Sequence, residues 1–151
     1  MGKVLILEDW PQVRYNFMTE LSNRGLHPIG CRTIYEANEE WENERGNIDA
    51  IVLDLMLSPI GLPNEYINKS ITGKIAGWFW LWHFVIEDGN ALHIAHEKKI
   101  AIYSGYLDYL DSHMISATAK EKKLFSQIKA VHKNNHESEN ELILYLLGDP
   151  K

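Results

Sequence analysis

The chain has 151 residues, a formal net charge of −6, 45% hydrophobic and 24% charged residues, and one cysteine, Cys31. That length suits one domain with its own core rather than two. The acidic balance argues against a general nucleic-acid binder, and a lone cysteine excludes an intrachain disulfide and fits a reducing, cytoplasmic setting.

The first apolar stretch meets an acidic pair too early for a signal peptide. The longest apolar run, Ile75 to Ile86, falls well short of the roughly 20 residues that span a bilayer. Neither a membrane nor a nucleic-acid partner is expected.

Val4-Leu5-Ile6-Leu7 reads as a buried parallel strand with Glu8 and Asp9 at its carboxyl end. Asp9 is placed to cap a helix that has Pro11 in its first turn and runs to about Asn23, with Val13, Phe17 and Leu21 on one face. Leu26 to Cys31 is a second strand. Thr33 can cap a helix of about Ile34 to Glu44, whose buried stripe is Ile34, Ala37 and Trp41. Ile48 to Leu53 is apolar almost throughout, suits a central parallel strand covered on both faces, and runs into Asp54. Strands and helices alternating with short connections are the signature of βαβ units.

After Asp54 the rhythm breaks. Residues 58–73, rich in Pro, Gly, Asn and Ser, read as an insertion loop. Lys74 to Ile86 is a helix apolar all round: Ile75, Trp78, Phe79, Trp82, Val85 and Ile86 face the sheet, while Trp80, Leu81 and Phe84 need a second cover. That cover is either the preceding loop or another chain, which makes Trp78, Trp80, Leu81 and Phe84 a candidate interface for a homodimer or a target protein. Ala91 to Glu97 continues as helix. Lys99 to Tyr103 is a fourth strand, ending in Ser104 and Gly105.

Leu107 to His113 is a short helix, and Met114 to Lys120 is either a fifth strand or the start of a helix. Leu124 to Lys133 has Leu124, Ile128 and Val131 at helical spacing. Asn134 to Glu139 is a polar break, and residues 137–151 are read as a C-terminal helical extension of a single domain, 1–151. His93 and His96, with His83 upstream, read as a solvated face, because no Cys or third ligand accompanies them.

Three strand ends therefore carry polar groups: Glu8 with Asp9, Asp54, and Ser104. In a parallel sheet these ends share one edge, with neighbouring strands about 5 Å apart. Converging carboxylates are costly unless a cation lies among them, and oxygen donors of this kind suit Mg²⁺. Ser104 supplies a hydroxyl, Gly105 leaves room, and Lys120 is the basic residue placed to complete a phosphate pocket.

This order of residues resembles the receiver domain of two-component response regulators over nearly the whole chain. The resemblance rests on LILEDWPQVR with its acidic pair, IVLDLML with its terminal Asp, and IAIYSG with its hydroxyl and small residue. It implies a three-layer α/β/α, flavodoxin-like fold with a five-stranded parallel sheet in the order 2-1-3-4-5. It further implies Asp54 as phosphoacceptor; Glu8, Asp9, Asp54 and the Met56 backbone carbonyl as Mg²⁺ ligands; and Ser104, Gly105 and Lys120 as phosphate-binding and switch residues. The chain departs from the family in an insertion after the third strand, in an atypical fourth helix and fifth strand, and in two features near Lys120. Glu121 follows Lys120 where the family has Pro, and no aromatic switch residue precedes Lys120.

The resulting expectation is a stand-alone cytoplasmic receiver in phosphorelay signalling. It would be a phosphoacceptor rather than an enzyme, served by a sensor histidine kinase or phosphotransfer protein and acting by docking. The alternative is a non-switching module for protein–protein interaction or dimerisation. A phosphatase of the haloacid dehalogenase type would want a second Asp where Met56 stands.

Overall fold

The computed structural model describes residues 2–134 and 136–148. Five strands form one parallel sheet in the order β2-β1-β3-β4-β5: β1 (Lys3–Leu7), β2 (His27–Cys31), β3 (Ile48–Leu53), β4 (Lys99–Ser104) and β5 (Lys129–His132). Leu7 pairs with Leu53, Leu53 with Ile102, and Ser104 with His132. This register brings the carboxyl ends of β1, β3, β4 and β5 side by side.

Side-chain alternation along the strands divides the core in two. Val4, Ile6, Ala50, Val52, Ala101 and Tyr103 point to one face, where α1 (Pro11–Asn23) supplies Phe17 and Leu21 and α8 (His136–Leu146) supplies Leu142, Ile143 and Leu146. Leu5, Leu7, Ile51, Leu53, Ile100 and Ile102 point to the other face and meet α2 (Ile34–Glu44) through Ile34, Ala37 and Trp41. Burial on both faces is why these strands are continuous apolar runs. The expected 137–151 extension thus corresponds in its described part to a core helix, and residues 149–151 lie outside the described residues.

Local signals hold at the starts of α1 and α2. Thr33 accepts from the Glu36 backbone N–H, and Pro11 opens α1. Asp9 does not cap α1: Trp10 occupies that position, without a side-chain cap.

The 58–73 segment is only partly loop, since α3 (Asn64–Lys69) lies within it. The Trp-rich stretch forms α4 (Ala76–Trp80), which continues as a π-helical turn over Leu81–Val85. Its cover comes from within the chain. Tyr66 of α3 stacks on Phe79 at 5.0 Å between centroids. His113 of α6 (Leu107–Ser116) meets Phe79 edge-on, and Phe125 of α7 (Ala119–Ser126) meets Trp78 in the same way. Trp78, Trp80 and Leu81 are 0% exposed, and Phe84 is half-buried against the same core. The expected interface through these four residues is therefore corrected: three of them have no surface to offer.

The fifth strand also lies elsewhere than expected. Met114 to Lys120 closes α6 and opens α7, and the strand is Lys129–His132, where a continuing helix was read. Thr118 and Glu121 form a reciprocal capping box that starts α7, which fixes a helix N-terminus in the middle of the supposed strand. The fourth strand is followed by two helices, α6 and α7, with the short α5 (Ile94–Glu97) before it.

Candidate functional site

Asp54, Glu8 and Lys133 at the carboxyl edge of the sheet are each fixed by their own backbone N–H, which pairs with a neighbouring strand. The Asp54 backbone N–H donates to Leu7 O at 2.9 Å, so Asp54 extends β3 alongside the end of β1. The Glu8 N–H donates to Cys31 O at 2.9 Å, and the Lys133 N–H donates to Ser104 O at 3.0 Å. Glu8, Asp9 and Asp54 each offer a carboxylate oxygen within 4.8 Å of the others. Glu8 and Asp54 are buried and Asp9 is exposed. They open into a cleft of about 480 Å³ whose rim is Trp10, Pro11, Met56, Gly105 and Tyr106.

The cation of this cleft is Lys133. Its Nζ lies 3.0 Å from Asp54 Oδ2 and also holds Glu8 Oε1. Lys120 does not reach the cleft; it is exposed on α7, with its stem packed over Gly89. The correction follows from the misplaced fifth strand, because the residue just after that strand is the one delivered to the site. Lys133 went unread because β5 is four residues long and buries only Val131 among them, which leaves no apolar run to mark it.

Asp54 Oδ1 accepts from the Leu55 N–H at 2.7 Å and from the Met56 N–H at 3.4 Å. Ser104, 0% exposed, places Oγ 3.1 Å from the Tyr106 N–H and 3.4 Å from the Leu55 N–H. The cleft thus joins Asp54, its two backbone donors and the Ser104 hydroxyl, with the exposed Gly105 beside them.

The charge balance is uneven. Burial, and then the Asp54 charge, raise the Glu8 carboxyl above its ordinary value, and Lys133 and the Trp10 N–H only partly offset them. Burial pulls Lys133 down, but Asp54 and Glu8 outweigh it and hold the ammonium above its usual value. Two buried carboxylates, Glu8 and Asp54, share one ammonium here, with the exposed Asp9 carboxylate beside them. The donor set is compatible with a hard divalent cation such as Mg²⁺, which Glu8, Asp9 and Asp54 would hold.

His93 and His96 take no part in this or any other metal-ligand cluster among the described residues; the His96 ring meets the Gln127 amide instead. No helix among the described residues is long and apolar enough to cross a membrane.

No protein-family model matches the chain, and no curated protein matches it in sequence. Its similarity is to solved structures. The receiver domain of a Francisella response regulator is 17% identical, with a TM-score of 0.60, over 97% of this chain and 94% of that one. A CheY-like response regulator receiver protein from Methanospirillum hungatei is 19% identical, with a TM-score of 0.59 and the same coverage of both chains. A receiver domain from Clostridium thermocellum is 14% identical, with a TM-score of 0.61, over 96% and 92%. The fold is that of response regulator receiver domains, in a divergent form.

Proposed function

We propose that the protein is a phosphoacceptor receiver. The observation that carries this reading is the convergence of Asp54, Glu8, Asp9, Ser104 and Lys133 on one cleft at the carboxyl edge of a receiver-type sheet. An Asp54 carboxylate oxygen attacks the phosphorus of a phosphorylated donor. The new P–O bond forms as the bond to the donor breaks, and the donor leaves with its electron pair. The product is an acyl phosphate on Asp54.

Lys133 balances charge on the incoming phosphoryl oxygens, and the Leu55 and Met56 N–H groups and the Ser104 hydroxyl are within reach to bind them. Mg²⁺, held by Glu8, Asp9, Asp54 and the Met56 carbonyl, would supply further neutralisation of the phosphoryl oxygens. A histidine kinase or a histidine phosphotransfer protein is the donor this chemistry fits. The chain acts as a substrate that is modified and read by docking, not as a turnover enzyme.

One observation favours a second reading, a non-switching interaction module. Strand β5, Lys129–His132, contains no Phe, Tyr or Trp ahead of Lys133.

Incubation with acetyl phosphate and Mg²⁺, read by intact mass, tests the first reading. We expect one added phosphoryl group on the native chain and none on Asp54→Asn. Equal uptake by the two proteins would exclude Asp54. Mg²⁺ alone is expected to quench Trp10, the exposed tryptophan at the cleft rim; the other four are buried.

A further inference from the structure

The backbone that follows Asp54 is seamed to the start of α4 without slack. Two successive peptide planes make the join. The first runs from Asp54 to Leu55: its N–H donates to Asp54 Oδ1, and its oxygen lies against Gly77, where a Cβ would come within 2.0 Å of it. The second runs from Leu55 to Met56: its N–H is directed at Asp54 Oδ1, and its oxygen accepts from the Gly77 N–H at 3.0 Å. Further along, the Leu57 N–H donates to Gly73 O at 3.0 Å, and a Cβ on Gly73 would meet Leu57 O at 2.5 Å. Because each peptide unit is rigid and planar, one edge of the pair reads the Asp54 carboxylate while the other edge bears on residues 73–77.

Beyond that seam the Trp-rich helix is held between two unusual turns. Ile71 and Thr72 have φ of 56° and 52° and lead into Gly73 at 90°; Glu87 and Asp88 have φ of 56° and 55° and lead into Gly89 at 94°. The left-handed region is strained for side-chain-bearing residues, and for β-branched Ile and Thr it is a clear outlier. Both pairs are exposed, whereas α4 and its π-helical turn are buried almost throughout. A displacement at Gly77 therefore bears on a buried helical segment bounded by two exposed, strained turns. On its far side that helix is tied to the α6–α7 pair, because Trp78 Nε1 donates to Glu121 Oε1 at 3.1 Å and His113 Nε2 lies 2.9 Å from the same oxygen. Lys74, whose Nζ lies 3.0 Å from Thr72 Oγ1, sits over the Tyr109 ring and ties the first turn to α6 as well.

We propose that occupation of Asp54 is read out through this seam: α4 moves as a rigid body and the Ile71–Thr72 and Glu87–Asp88 turns relax, with β5 left in place. The inference rests on Asp54 being the phosphoacceptor and adds the route by which its state reaches the surface. A phosphoryl group competes for the Leu55 and Met56 N–H groups that now serve Oδ1, so both peptide planes must turn. Strain held in the unoccupied state then favours the occupied one as it is released.

Amide hydrogen exchange of the full chain, with and without beryllofluoride and Mg²⁺, tests the proposal. Exchange is expected to change at residues 70–78 and 86–90 and to stay unchanged at 129–132. The double variant Ile71→Gly with Thr72→Gly starts relaxed, so its half-saturating beryllofluoride concentration should rise by about tenfold, the order of one such residue's strain. Failure of the native chain to take up beryllofluoride at all overturns the phosphoacceptor reading and this inference with it. Uptake with the two turns unchanged, with changes confined to β5, or with undiminished affinity in the double variant overturns this inference alone.

Discussion

Lys133 stands 3.0 Å from Asp54 Oδ2, is bonded to Glu8, and has the Tyr103 ring 5.5 Å away. The two carboxylates it joins are buried, so its removal leaves like charges facing each other in a poorly solvated cleft. Lys133→Met keeps most of the apolar stem and removes only the charge. We expect the variant to lose about 2 kcal/mol of stability in urea unfolding at neutral pH, less than the roughly 3–5 kcal/mol of a fully buried broken pair because the ammonium is partly solvated. Added Mg²⁺ should restore more stability to the variant than to the native chain, since the divalent ion then meets carboxylates with no competing cation. An equal response of the two proteins to Mg²⁺ would place the ion outside this cleft. At this scale the sequence was legible wherever a carboxylate or hydroxyl ended an apolar run, as Glu8, Asp54 and Ser104 do. It was not legible for Lys133, whose preceding strand exposes three of its four residues in part or in full and reads KAVH. Leu124, Ile128 and Val131 share helical spacing only by coincidence, because α7 stops at Ser126 and Ile128 lies in the link to β5.

Between elements, the polar tie from the α6–α7 pair to α4 is a buried carboxylate, beside the ring contacts of His113 and Phe125. Glu121 is 6% exposed, accepts from Trp78 Nε1, faces His113 Nε2, and closes the capping box with Thr118. Burial alone would raise its pKa, but the hydrogen bonds from His113, Trp78 and Thr118 outweigh burial and bring it below the ordinary value of 4.5. A depressed carboxyl pKa contributes stability above the unfolded-state value and loses it as pH falls through the folded-state value. Glu121→Gln should therefore be less stable than the native chain at pH 7, by about 1–2 kcal/mol for weakened charge-assisted bonds. The gap should close as the solution is taken below pH 4.5. Urea midpoints measured across that range would show it, and a gap that stayed constant with pH would mean that the carboxylate's charge is not what holds the pair. The helix that receives this bond was legible as an amphipathic problem: a segment apolar all round had to be covered from two sides. Which side of the chain supplied the cover was not legible, because α3 has six residues and its Tyr66 stands in a stretch with no helical period.

For the molecule as a whole, the insertion after β3 adds a layer outside an otherwise three-layer fold. The sheet and its order were readable from the alternation of strands and helices, since the three central strands, β1, β3 and β4, are nearly continuous apolar runs. The added layer was not, because its contribution is made by single side chains rather than by a periodic face. Tyr66 carries most of it: 8% exposed, stacked on Phe79, 5.3 Å from the His83 ring, and hydrogen-bonded through its hydroxyl to Asp88. Burial, and then Asp88, raise its phenol pKa far above the ordinary value, so it remains a neutral donor at any working pH. Tyr66→Ala opens a hole over Phe79 and removes the lid from the apolar helix. A large aromatic deleted from a packed site costs about 3–5 kcal/mol, and the apolar surface uncovered is of the kind that promotes association. We expect the native chain to elute at one size across protein concentrations. The variant, unfolding earlier in urea, should bind a hydrophobic dye and grow in apparent size as concentration rises. Tyr66→Phe, which keeps the ring and loses only the Asp88 bond, should cost about 1 kcal/mol and stay the size of the native chain. A native chain that itself associates in a Tyr66-dependent way would mean instead that the added layer opens to a second copy.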